Sequence, residues 1–118
     1  MIAVVLVAVG GGFGAGIRWL ATELIPPTRG FPTAIMIVNV VGSLALGVIV
    51  GAELAASSSL DVGPLTVGIL AGFTTFSTWM VDIETADSGL RSMLIAVVPL
   101  VTGLATAAIG LGIGSALT

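Results

Sequence analysis

The chain has 118 residues, 57% of them hydrophobic and 8% charged, and a mean hydropathy of +1.26, far from the roughly 25% charged composition of soluble domains. Six acids against three arginines give a formal charge of -3, and no basic patch invites nucleic acid. Without cysteine there is no disulfide or thiol chemistry, and without histidine the commonest general base and metal ligand is missing.

About 20 apolar residues are needed to cross a hydrocarbon core, and the apolar runs divide into four, at about residues 2–24, 33–55, 62–81 and 90–116. The expectation is an all-α, multi-pass protein of the cell membrane. It forms one four-helix transmembrane domain over residues 1–118, with helices at about 2–25, 32–55, 62–81 and 89–117 and a lipid bilayer around them. The first run lacks the basic lead of a signal peptide and reads as a mature helix.

Helix one is rich in small residues. Gly10 with Gly14 and Gly12 with Gly16 form small-xxx-small pairs, a spacing that lets helix backbones approach closely in lipid. Arg18 either snorkels to the interface or pairs inside the assembly, and Glu23 stands at i+5 from it, off the favourable i+4 register. The run Pro26-Pro27-Thr28-Arg29-Gly30 then ends the helix and supplies a loop.

Helix two carries Asn39 well inside an apolar run, and Asn39, Ser43 and Gly47 recur at i, i+4 and i+8 on one face, beside Gly42. An amide there makes an interhelical hydrogen bond worth about 1 kcal/mol or offers N–H donors to a permeating anion. A polar linker, Ser57-Ser58-Ser59, and Gly63-Pro64 lead into helix three.

Helix three contains Gly72-Phe73-Thr74-Thr75-Phe76-Ser77-Thr78-Trp79, a dense hydroxyl and aromatic patch at membrane depth. Hydrocarbon offers such groups no water, so they persist only where protein or an aqueous cavity surrounds them. Glycine beside hydroxyls lowers the cost of leaving helical geometry, which predicts a break near residues 71–75. Phe76 and Trp79, at i and i+3, share a side where helix resumes.

Asp82, Glu84 and Asp87 read as a surface loop, and helix four follows with Pro99 as a kink and Thr102 and Thr106 at i, i+4. Each threonine either back-bonds to the preceding turn or points into a pathway. All six acids lie at helix ends or in loops, which argues against a small multidrug-type proton-coupled exporter with its membrane-embedded acid. The glycine faces alone would also suit a purely structural membrane subunit, which the polar patch speaks against. Arg29 and Arg91 fall in loops on one side; the positive-inside rule puts both termini outside by a margin of two charges, which leaves dual insertion open.

Three segments carry a family resemblance: Gly12-Phe13-Gly14-Ala15-Gly16-Ile17-Arg18, Asn39-Val40-Val41-Gly42-Ser43 and Gly72-Phe73-Thr74-Thr75-Phe76-Ser77-Thr78. Together with the four short helices they resemble the Fluc, or CrcB, fluoride channels, which are not enzymes. The resemblance implies a passive, fluoride-selective channel that confers fluoride resistance, built as an antiparallel dual-topology dimer with two pores at the subunit interface. It further implies a structural Na+ at the centre, held by backbone carbonyls at Ala71 and Thr74 of both subunits.

Carried over by position, the fluoride pathway comprises Asn39, Phe76, Ser77, Thr78, Trp79, Thr102 and Thr106, with Arg18, Gly42 and Ser43 in structural or interface roles. Trp79 stands where the family's second pore phenylalanine is usual, and Ala71 where glycine is common. The first difference suits a subunit of a paired-gene heterodimer; a homodimer is the favoured expectation.

Overall fold

The computed structural model describes residues 1–56, 63–74 and 77–117. They form five helices: α1 (Ile2–Leu24), α2 (Thr33–Ala56), α3 (Gly63–Phe73), α4 (Ser77–Glu84) and α5 (Gly89–Ala116). No strand occurs among the described residues. Four segments are long and apolar enough to cross a membrane, namely α1, α2, the stretch Gly63–Glu84 that contains α3 and α4, and α5.

Glycine spacing decides which helices pair. Gly10 and Gly14 of α1 lie against the carbonyls of Leu65 and Ile69, and Gly68 and Gly72 of α3 lie against those of Val7 and Gly11. In the second pair, Gly47 and Gly51 of α2 meet the carbonyls of Ala107 and Leu111, while Gly110 and Gly114 of α5 meet those of Leu44 and Val48. At each of these eight positions an added Cβ would overlap backbone, so the two axes sit closer than any larger residue permits.

Residue numbers rise together along both seams, so α1 runs parallel to α3 and α2 parallel to α5. At Gly12 and Gly16, the other small pair of α1, an added Cβ would meet nothing within 4 Å among the described residues. One stripe of α1 is therefore packed and the other is left outside.

The described hydrophobic core consists of Ala34, Ile35, Val38 and Ile95, all on α2 and α5. The radius of gyration is 15.6 Å and the extents are 47 × 31 × 21 Å, against about 13.5 Å for a compact chain of this length. Much apolar surface, Phe13 and Trp19 included, stays exposed, as lipid contact or another chain requires.

Between the pairs, α4 lies against α5. Trp79 Nε1 donates to the Ile95 carbonyl at 2.6 Å and Ser92 Oγ to the Ile83 carbonyl at 2.9 Å, two bonds that fasten α4 antiparallel to α5. The helix α4 runs on to Glu84, past the expected end at residue 81, so Asp82 belongs to a helix rather than to the surface loop. The Thr85 N–H, 2.9 Å from the Val81 carbonyl, closes that last turn.

At the membrane surface, Thr28 and Phe31 exchange backbone hydrogen bonds around Arg29 (φ 52) and Gly30 (φ 78), a two-residue turn of the left-handed kind. A side chain at Gly30 would collide with the Arg91 guanidinium, so Arg29 and Arg91 do share a side, although Arg91 lies in the first turn of α5 rather than in the loop expected for it. Ser88 caps α5, its hydroxyl accepting from the Arg91 N–H at 3.2 Å.

Candidate functional site

A groove of about 370 Å³ opens where α2, α5 and the junction of α3 with α4 approach one another. Its polar lining comes from Asn39 and Ser43 of α2 and from Thr74, with Gly42, Trp79, Pro99 and Gly103 beside them and Leu46, Leu100, Leu104 and Ala107 completing the wall. Helical periodicity explains the α2 side, since Asn39 and Ser43 are one turn apart and Gly47, one turn further, is buried in the α5 seam. Gly42 is needed bare: a Cβ there would strike the Thr74 methyl.

Thr74 stands at the end of α3. Its N–H and its hydroxyl both donate to the Leu70 carbonyl, at 3.0 and 2.9 Å, which closes the last turn. The carbonyls beyond Leu70 fall in the final turn of a helix, where partners within the helix run out. Ala71 belongs to that turn but lines a second groove, of about 390 Å³ between α2 and α3, which Glu53 and Thr74 also border. Among the described residues no group of three or more Asp, Glu, His or Cys could hold a metal.

The remaining residues of interest lie elsewhere. Arg18 reaches from α1 to α4, its Nη1 donating to Thr78 Oγ1 at 3.4 Å, while its Nε is buried without a partner among the described residues. Thr102 Oγ1 donates to the carbonyls of Val98 and Pro99 at 2.8 and 3.2 Å, and Thr106 Oγ1 to those of Thr102 and Gly103 at 2.8 and 3.0 Å. Of the two alternatives open for these threonines, the bonds present are the back-bonds to α5 itself. Thr75 and Phe76 lie outside the described residues, as does the side chain of Ser77.

The arrangement is a mostly apolar groove in a membrane-spanning helical chain, its leucine wall interrupted by an amide, hydroxyls and an indole and free of carboxylates. A family-level model described as "CrcB-like protein, Camphor Resistance (CrcB)" matches residues 5–112. The chain belongs to the CrcB-like family.

Relatives agree over most of its length. It is 40% identical over 116 residues to the fluoride-specific ion channel FluC of Novosphingobium aromaticivorans, covering 88% of this chain and 91% of the relative. It is 42% identical over 108 residues to FluC 1 of Rhodococcus jostii (92% and 82% covered) and 36% over 110 residues to FluC 2 of the same organism (91% and 94%). These relatives are named as ion channels, and this CrcB-like chain is likewise a multi-pass membrane protein rather than an enzyme.

Sequence reasoning missed two contributors. Gly103 lines the groove across from Ser43, whose Oγ lies 3.5 Å from where a Cβ of Gly103 would be. The bond from Trp79 to Ile95 was legible in principle: proline at 99 withholds the N–H that the Ile95 carbonyl would receive, so a donor from another element was required. Which donor filled that need was a matter of tertiary packing.

Proposed function

We propose that the chain is one subunit of a fluoride-selective channel in the plasma membrane, passing the anion down its electrochemical gradient. The observation that carries the reading is that relatives sharing about two-fifths of its residues over most of the chain are named fluoride-specific ion channels. The groove supports it chemically. Fluoride is small and strongly hydrated, so a pathway has to replace its water with donors: the Asn39 amide, hydroxyls, and the electropositive edges of aromatic rings. Serial weak sites then allow the ion to leave as readily as it enters.

In this reading the third span is broken between α3 and α4, and Phe76, Ser77 and Trp79 after the break belong to the pathway. Thr78 joins it beside Arg18, and Thr102 and Thr106 are its weaker contributors, since their hydroxyls already donate to α5 carbonyls. The active form is an antiparallel dual-topology homodimer with two pores. The carbonyls of Ala71 and Thr74 suit a hard cation such as Na+, but two carbonyls are fewer than such ions take. The site is therefore completed by the same two groups of a second copy. Rhodococcus jostii holds two FluC relatives, which keeps a heterodimer with a paralogue as the second reading.

The test is fluoride efflux from liposomes carrying the purified protein, read with a fluoride electrode and with chloride as control. Fluoride flux without chloride flux is the expected result; absence of fluoride-selective flux from the single chain, restored by a paired subunit, would replace the homodimer with the heterodimer. Absence with both would end the channel reading. Phe76→Ile is expected to lower flux at least tenfold while the protein stays dimeric, the loss of about 1.4 kcal/mol or more of ion stabilisation.

A further inference from the structure

Proline at 99 leaves a gap in the α5 hydrogen-bond ladder that another helix fills. In an α-helix each carbonyl accepts from the N–H four residues on, and proline has none. Pro99 lies inside α5, so the Ile95 carbonyl loses that donor. Ile95 is 2% exposed and Pro99 is buried, so water has little access to serve instead. Trp79 Nε1 supplies the bond at 2.6 Å from α4.

An indole has a single N–H donor. Trp79 lines the groove beside Asn39, Ser43 and Pro99, yet its N–H is committed to Ile95. What the ring offers the groove is its carbon surface and C–H edge. We propose that Trp79 is a positioning residue: the carbonyl stranded by Pro99 holds the indole in one orientation and withholds its N–H from the permeating ion. An edge of carbon-bound hydrogens attracts an anion weakly, whereas an N–H would detain it, and conduction needs sites that release. The consequence for conduction rests on the fluoride-channel reading; the bond itself does not.

Two measurements test it. In reconstituted protein, Trp79→Phe is expected to lower initial fluoride efflux about tenfold, because the ring loses its anchor and a buried carbonyl its donor. Adding Pro99→Ala gives the carbonyl an N–H but leaves the ring unanchored, so the loss is expected to persist in W79F/P99A, and Pro99→Ala alone, which frees the indole N–H toward the groove, is expected to lower efflux as well. Wild-type efflux in W79F or in P99A, or full recovery in W79F/P99A, overturns the proposal.

The second measurement needs no fluoride. In isotope-labelled wild-type protein the indole N–H of Trp79, assigned against Trp19→Phe, is expected to resonate downfield and exchange slowly. Rapid exchange at Trp79 overturns the proposal whatever the efflux. A wild-type chain without any flux ends the channel reading, and the exchange rate then decides the bond alone.

Discussion

The two parallel helix pairs are built alike and loaded differently. Both seams use glycines four residues apart to bring backbones into contact, Gly10/Gly14 with Gly68/Gly72 in one and Gly47/Gly51 with Gly110/Gly114 in the other. Only the α2–α5 pair adds buried side chains, since Ala34, Ile35, Val38 and Ile95 all belong to it. In the α1–α3 pair the buried residues are glycines alone, and α3 is an 11-residue helix where α5 has 28. The comparison teaches a division of labour. One pair is a continuous scaffold, and the other brings the end of α3, with Thr74, to the groove that the scaffold walls.

Overpacking each seam is the strongest way to break the comparison. Gly110→Leu is expected to abolish the monodisperse peak in size-exclusion chromatography, since the added side chain meets the Leu44 carbonyl and Val48 N–H in a seam flanked by the core. Gly14→Leu meets the Ile69 carbonyl in a seam with open outer faces, so the helices can part. It is expected to leave folded protein with a lower thermal midpoint, a cost of about 1–3 kcal/mol. Equal damage from both would erase the proposed difference between the scaffold and the α1–α3 pair.

A smaller effect separates the walls of the groove from the body of α5. Thr102→Val with Thr106→Val is expected to cost less than about tenfold in efflux, because both hydroxyls already donate to α5 carbonyls. A loss as large as that of Phe76→Ile would mean that they turn to the ion. Smallest of all is Arg91→Gln. Its ion pair with Asp87, at 3.4 Å with the side chains 40% and 72% exposed, is expected to contribute no more than about 0.5 kcal/mol by thermal unfolding.

Much of this was legible in one dimension. Hydropathy alone marks four spans, because a span must be apolar over its whole length whatever it packs against. The i, i+4 spacing of Asn39 and Ser43 puts them on one face, and that face does line the groove. The glycines were legible as a motif but not as partners: Gly10/Gly14 and Gly12/Gly16 have the same spacing, and among the described residues only the first meets another helix. Lipid and a neighbouring helix are both apolar, so nothing local says which stripe faces which.

The hydroxyls mark the same limit. Sequence left Thr102 and Thr106 between a pathway and their own backbone, and a hydroxyl that can rotate is settled by its neighbours alone. Trp79 is the clearest case. By itself the sequence determined that the chain crosses the membrane, where it breaks its apolar pattern and that Pro99 withholds an N–H, since these follow from composition and covalent structure. Tertiary structure decided that helices pair in parallel and that an indole 16 residues away in sequence answers the Ile95 carbonyl. The reason is physical: close backbone approach and a hydrogen bond between helices depend on distances that no local preference encodes.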